Sequence, residues 1–522
     1  MISGVCYESY DQHLKARTSN RQNPDVAYAK CFNDVFFWHR FIYSQYHILP
    51  GKLWDNCVFI IICLLRGYRL LNDLRRHTDD RKVPATASVP DGAGSRMRNT
   101  VHSRSYLRIN DKWGNMNILV VAGYCLRVNS SANLCHLSYI NGLLECGHHV
   151  DLLTVSEKDM VIDRSIVIPQ LHKVTAFDSA FYERLGGRKQ LRTAQTTPTA
   201  VTEAPKAASS RPGLLSRIKV GVRKLYGPHG TTIVWYHKAK QFRSDCCYDL
   251  VVSLSDPPVS HKLTAWLMRK NRLKAKRWVQ IWEDPWYADI YGHAHTPEVR
   301  KEEAKLLRLG QRILYVSPLT LMYQKQAFPE YAHKMDWMPL PAYYQAAQTD
   351  VSFEHLTYGY FGDYATQTRN LKPFYEAAME LGADVAICGN SNSPFASTDT
   401  IQVYPRLPLS ELKKHEDRTN VLIFLCNLRG GQIPGKIYQY AATNKLVLFI
   451  MDGTTEEQQT LREYFMQFER FIFCENTKES IVNALRELQS RMPDPSLYTP
   501  LTRFEPKQII TEIIESALNY EK

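Results

Sequence analysis

Residues 420–451, NVLIFLCNLRGGQIPGKIYQYAATNKLVLFIM, constrain the fold more than any other stretch. Residues 421–425 are apolar and long enough for one buried strand, and 446–451 supply a second. Between them a glycine-bearing loop, 427–432, precedes Pro434, Gly435 and Lys436. Proline suits the first turn of a helix, where its missing N–H is not needed. The spacing predicts a helix through Ile437, Tyr438, Tyr440 and Ala441 to Asn444, a residue able to cap its end. Strand, loop, helix and strand form one βαβ unit. Its loop opens at the helix N-terminus, where backbone N–H groups and a neighbouring lysine favour a phosphate. An ordinary βαβ unit with no ligand has the same spacing, so spacing alone leaves both readings open.

The run Pro434-Gly435-Lys436-Ile437-Tyr438-Gln439-Tyr440, followed by Thr443-Asn444-Lys445, resembles a known segment. It is similar to the P-x-K-hydrophobic-aromatic-E-Y…G-K-P segment of GT-B glycosyltransferases, family 4. The resemblance covers about Asn117 to the C-terminus. It implies an α/β protein with two Rossmann-like domains facing a central cleft. In that family this helix contacts the nucleotide-sugar donor, and its acidic residue contacts the ribose. Gln439 stands at that position here, and an amide bonds hydroxyls without charge assistance. The family's earlier Glu, near the sugar, has Gly431 at about its place.

At 522 residues the chain divides into more than one domain. A net charge of +13 suggests an anionic partner: a phospholipid surface, nucleic acid or a phosphorylated substrate. No nucleic-acid module is recognisable, which leaves that partner unsupported. The twelve cysteines are scattered, mostly in apolar segments, and read as free thiols of a reducing compartment. The first twenty residues are polar, so no secretory signal is visible. Residues 58–65, VFIIICLL, are too short to span a bilayer, which takes about 20 apolar residues.

Residues 1–115 read as an irregular extension, with a Pro-, Gly-, Ser- and Arg-rich linker near 75–108. An acceptor domain is expected over 116–345 and a donor-binding domain over 346–505. A helix over 506–522 is expected to cross back to the first domain, as in GT-B folds. Residues 187–213 read as a flexible insertion. From 204 to 244 there are nine Lys and Arg and no acid. Leu214, Leu215, Ile218, Val222 and Leu225 share one helical face there. A basic amphipathic helix of this kind sits on an anionic membrane or packs as ordinary domain surface.

Residues 117–123 and 150–155 read as buried strands around a helix of spacing Leu134, Leu137, Ile140, Leu143. No G-x-G-x-x-G is present, which argues against dinucleotide binding by that route. Strands 249–254 and 278–282 follow, the latter ending in Glu283-Asp284-Pro285-Trp286. Carboxylates at strand C-termini face the crevice of an α/β domain, so Asp284 and Glu283 are candidate catalytic residues. A carboxylate that merely caps the following turn would look the same. In the second half, strand 357–361 ends at Gly362, and Arg369-Asn370-Leu371 leads into a helix. The resemblance implies that Arg369 binds the donor diphosphate. The family's other cation, directly after the strand glycine, is replaced by Asp363.

The donor site expected from the resemblance is therefore Gly362, Arg369, Gly431, Pro434, Lys436 and Gln439. The implied activity is transfer of a sugar, with retention, from a nucleotide sugar to a glycan or lipid-linked acceptor in bacterial cell-surface polysaccharide synthesis. No metal and no cofactor are expected, because Arg369 and Lys436 would neutralise the leaving diphosphate. The expected location is cytoplasmic, peripheral on the inner face of the membrane. The alternative is a degenerate relative that binds nucleotide or glycan without turnover, which Gln439 and Asp363 suggest.

Overall fold

The computed structural model describes residues 114–520, except 159, 180–226, 290–294, 344–353, 430 and 491–493. The N-terminal extension through 113, the run 58–65, the insertion 187–213 and the basic helix 214–225 lie outside the described residues.

The first domain starts with β1 (Asn117–Ala122), α1 (Ser131–Glu145), β2 (His149–Val155) and β3 (Lys173–Phe177). It continues through α2 (Ile233–Ala239), β4 (Cys247–Leu254), α3 (Val259–Arg269), β5 (Lys274–Trp282) and α4 (Pro297–Leu309). Then come β6 (Arg312–Tyr315), α5 (Pro318–Ala327) and β7 (Met335–Trp337). The seven strands form one parallel sheet in the order β3-β2-β1-β4-β5-β6-β7.

The second domain holds β8 (Thr357–Phe361), α6 (Lys372–Leu381), β9 (Asp384–Cys388), β10 (Ile401–Tyr404) and α7 (Leu409–Arg418). After these come β11 (Val421–Leu425), α8 (Lys436–Ala441), β12 (Leu446–Met451), α9 (Thr455–Met466), β13 (Ile472–Glu475) and α10 (Lys478–Ser490). Its parallel sheet of six strands has the order β10-β9-β8-β11-β12-β13. Every residue of β11 and β12 is buried, because helices cover both faces of the sheet.

In both sheets the chain first builds outward on one side and then returns to the other. The reversal falls between β1 and β4 in the first domain and between β8 and β11 in the second. Ligands of open α/β sheets bind outside the strand C-termini at such a point.

Local chemistry explains the helix ends. Ser130 caps α1 by accepting the Asn133 N–H, and Gly147 follows its end at a φ of 81°. Helix α8 is shorter than its sequence suggests. It stops at Ala441, and the Ala442 N–H already turns back to Gln439 and Tyr440. Strand β5 starts four residues before the apolar run, since Lys274 and Lys276 are exposed outer positions of the same strand. Strand β3 and helices α2, α4 and α9 were not apparent in the sequence. The apolar stripe of α4 is diluted by seven charged residues among thirteen.

The last helix, α11 (Pro506–Leu518), packs on the first domain. A Cβ added at Gly142 would lie 2.4 Å from Pro506 O, so α1 and α11 touch backbone to backbone. Arg312 Nε donates to Ser516 Oγ at 2.8 Å. The chain thus crosses between the domains twice, near 338–343 and 501–505. Ala342 N–H donates to Phe504 O at 2.8 Å and ties the two crossings together. One apolar cluster runs through both domains and includes Ile118, Leu254, Phe424, Ile437 and Ile510.

Candidate active site

The first wall of the cleft comes from the ends of β4 and β5. Ser255 N–H donates to Ile281 O at 2.9 Å, and Ser255 Oγ accepts the Glu283 N–H at 2.9 Å. These bonds fix the turn that carries Glu283 and Asp284. His136 of α1 is fully buried beneath it. Its Nε2 lies 2.8 Å from Ser255 O and 3.2 Å from Glu283 Oε1. One ring nitrogen thus lies within reach of both the Ser255 carbonyl and the Glu283 carboxyl. His136 Nδ1 is buried with no partner. Burial pushes the Glu283 carboxyl up, against the pull of His136. Burial works against a charge on His136, but the Glu283 carboxylate outweighs it and raises the imidazole pKa. Both groups hold protons more tightly than usual.

Asp284 keeps solvent-accessible surface, yet burial heads the causes of its raised pKa. Burial, then the neighbouring carboxylates Asp256, Asp289 and Glu283, push it up to about 7. The carboxylates are the firmer cause for a group that still reaches solvent.

The second wall is the loop after β11. Gln432 Nε2 donates to Asp284 Oδ1 at 2.7 Å, which joins the two domains across the cleft. Gly431 has a φ of 70° and its carbonyl accepts from Ser317 Oγ at 2.5 Å. A Cβ there would lie 2.5 Å from Leu319 Cβ, so glycine is required for this approach to α5. Gly431 therefore serves the contact between domains, where the sequence suggested a donor contact.

Arg369 sits where the β8 and β11 ends meet. Its Nε and Nη2 donate to Asn427 Oδ1 at 3.1 and 2.9 Å, and its Nη1 donates to Asp363 O at 3.1 Å. These partners are an amide oxygen and a backbone carbonyl, and among the described residues no carboxylate pairs with it. The guanidinium is held in place with its charge uncompensated. Gly362 lies beside it, and Gly389 packs so closely on Gly362 that a Cβ there would be 1.9 Å from Gly362 O. Asp363 accepts from Arg406 Nη2 at 2.5 Å, so the acid standing in for the family's second cation recruits an arginine from the β10–α7 loop.

Lys436, Pro434 and Gln439 differ more from expectation. Pro434 is half-buried and accepts the Ile437 N–H at the start of α8. Lys436 Nζ donates to Glu416 Oε1 at 2.6 Å and Tyr343 OH at 2.9 Å. Burial opposes its charge, but Glu416 and Tyr440 together raise its pKa. This cation is already neutralised by a buried carboxylate. Gln439 is 1 % exposed, and its Oε1 accepts the Tyr343 N–H at 3.0 Å. It anchors the first crossing between domains and offers no surface to a ribose. Helix α8 has six residues, fewer than the spacing suggested.

His136, Asp256, Asn427, Gln432 and Arg406 were not singled out from the sequence. A histidine inside an apolar helix gave a signal for His136. The others are loop residues whose roles depend on contacts distant in sequence, 43 residues away for Arg406, 58 for Asn427 and 148 for Gln432.

Among the described residues no group of three or more His, Cys, Asp or Glu is arranged to hold a metal ion. No family model and no curated protein matches the chain. Solved structures match its shape. The catalytic domain of starch synthase IV from Arabidopsis thaliana, bound to ADP and acarbose, superposes with a TM-score of 0.53 at 9% identity. That match covers 78% of this chain and 99% of the other. The Anabaena HepE protein in complex with UDP and glucose gives 0.45 at 11% identity, over 78% of this chain and all of the other. A putative UDP-N-acetylglucosamine 2-epimerase from Listeria monocytogenes gives 0.42 at 8%, over 77% and 96%. At such identity the likeness is one of fold, and it rests on the first of the three. The fold is GT-B.

Proposed function

We propose that this protein is a glycosyltransferase that moves a sugar from a nucleotide-sugar donor to a glycan or lipid-linked acceptor. One observation carries the reading. An uncompensated cation, Arg369, occupies the crevice of the second domain, and Glu283 and Asp284 occupy that of the first. Gln432 bonded to Asp284 brings the two walls together.

In this reading Arg369 holds the donor diphosphate. As the bond from sugar to phosphate breaks, negative charge grows on the leaving group, and a prefixed guanidinium stabilises it. That role needs no metal ion. Asp284, ionised, accepts a hydrogen bond from the acceptor hydroxyl and orients it. Glu283 and His136 fix the turn beneath it. Retention follows from attack on the face the diphosphate leaves, which requires no enzymic nucleophile. The setting that fits the basic segment 211–243 is the anionic inner face of a bacterial membrane, in surface polysaccharide synthesis. No described helix is long and apolar enough to cross a membrane.

The test is a thermal-shift screen against UDP, GDP, ADP and CMP, followed by donor turnover with the matching hexose donors. Stabilisation by one nucleoside diphosphate and its release from the sugar donor are expected. Stabilisation by none of them, with no release, overturns the reading.

A further inference from the structure

The second domain carries a cavity of about 470 Å³ on the outer side of α6, which the reaction above does not use. Its size lies within the roughly 300–1,000 Å³ of small-ligand sites. One wall is a column of three nearly parallel rings. Tyr364 and Phe395 have centroids 5.1 Å apart at 12°, and Phe395 and Tyr375 lie 4.4 Å apart at 13°. The column is held rigidly, since Tyr375 OH donates to Ala396 O at 2.9 Å and Tyr364 OH accepts the Phe395 N–H at 3.4 Å.

The remaining lining is polar. Thr366, Ser391 and Ser393 bring hydroxyls, and Asn370 brings an amide. Asn370 Oδ1 accepts the Lys372 N–H at 3.3 Å, which turns the amide nitrogen away from its own backbone. The two charged residues of the lining, Lys372 and Glu376, lie 3.5 Å apart as an ion pair. The cavity therefore presents no net charge, an apolar aromatic wall and a surround of donors and acceptors.

We infer that this cavity is a second carbohydrate site, which takes a neutral sugar unit of an oligosaccharide. A pyranose has an apolar C–H face and a rim of hydroxyls, each both donor and acceptor. Rigid aromatic walls with a polar surround match that shape. A nucleotide or acidic glycan would need a cation without a counter-charge, and Lys372 is paired. Arg369 is not among the residues that line the cavity. The cavity would hold a glycan chain on the protein whether or not a sugar is transferred, so it does not depend on the proposed reaction.

The experiment is saturation-transfer NMR on the full chain with maltotriose, cellotriose and chitotriose, beside a tri-galacturonate and UDP. At least one neutral trisaccharide is expected to bind in preference to the acidic one. Ser393→Trp fills the mouth of the cavity from an exposed loop position without touching the core. Tyr375→Leu removes the half-buried end ring of the column. Each is expected to weaken the neutral sugar about tenfold or more, with UDP binding unchanged. Binding of none of the neutral trisaccharides, preference for the acidic one, or undiminished binding in Ser393→Trp overturns the inference. Loss of UDP binding in the wild-type chain would count against the transferase reading and leave this one standing.

Discussion

Asp163 of the first domain caps a helix of the second. Its Oδ2 accepts the Leu409 N–H at 2.8 Å, at the first residue of α7, and also the Asn129 amide at 3.0 Å. Ser165 Oγ accepts the next N–H, that of Ser410, at 3.2 Å. Pro408, the residue before α7, has no side chain able to do this. The first two N–H groups of α7 thus have a protein partner only while the two domains are together. Asp163→Ala is expected to cost about 1 kcal/mol, the usual value of a helix cap. It should also shift the population toward an open arrangement. Small-angle scattering checks this: an unchanged radius of gyration with an unchanged melting temperature would show that the cap is not needed for closure.

Arg369 and Lys436 should separate on mutation. Arg369→Ala removes a half-exposed cation with neutral partners, so donor affinity should fall while the melting temperature holds. Lys436→Met takes the Lys436 ion pair from buried Glu416, which costs about 3 kcal/mol. The double variant Lys436→Met with Glu416→Leu should recover most of that loss. Equal stability of Lys436→Met and wild type by chemical denaturation would return Lys436 to the donor site.

The carboxyl of Asp284, pushed up to about 7, gives activity a pH signature. The ionised form orients the acceptor, so kcat/KM should rise with pH through a midpoint near 7. Asp284→Asn should abolish the rise along with most of the rate. A flat profile between pH 5.5 and 8.5, an interval of about 1.5 units on either side of the midpoint, would remove Asp284 from the reaction.

His261 links acid stability to the first domain's core. It is fully buried, and its Nδ1 lies 2.7 Å from Ser253 Oγ. Burial, with His229 and His136 nearby, lowers its pKa to about 3. The unfolded chain takes up a proton below about pH 6.5 and the native chain does not. Native stability should then fall as pH drops from there toward 3, by about 1.4 kcal/mol per pH unit from this one group. His261→Asn should flatten that limb in urea titrations at pH 4 and 6. Parallel pH dependence in both proteins would assign the acid sensitivity elsewhere.

The strands around the cleft were legible because each is a continuous apolar run covered on both faces, as in β11 and β12. The helices were legible where apolar spacing or a cap dominates, as in α1 with Ser130. Helix α4 was hidden because Arg, Lys and Glu occupy most of its turns, and only Val299, Leu306 and Leu307 among its apolar residues are fully buried. At the site, Arg369 lies in the segment that leads into α6, as its sequence position indicates. The partners of Lys436 and Gln439 were not legible, because the motif fixes their backbone positions and not what their side chains meet. Glu416 and Tyr343, which occupy them, lie 20 and 96 residues away.

The hydrogen bond from Ala342 to Phe504 also governs how the molecule can move. A body joined to another by one strand can swivel about three axes. Two strands bonded side by side act as a single pin and leave one easy rotation. Opening the cleft is then a motion of one degree of freedom. Cutting the chain between Tyr498 and Pro506 would release the other two without removing any residue that faces the substrate.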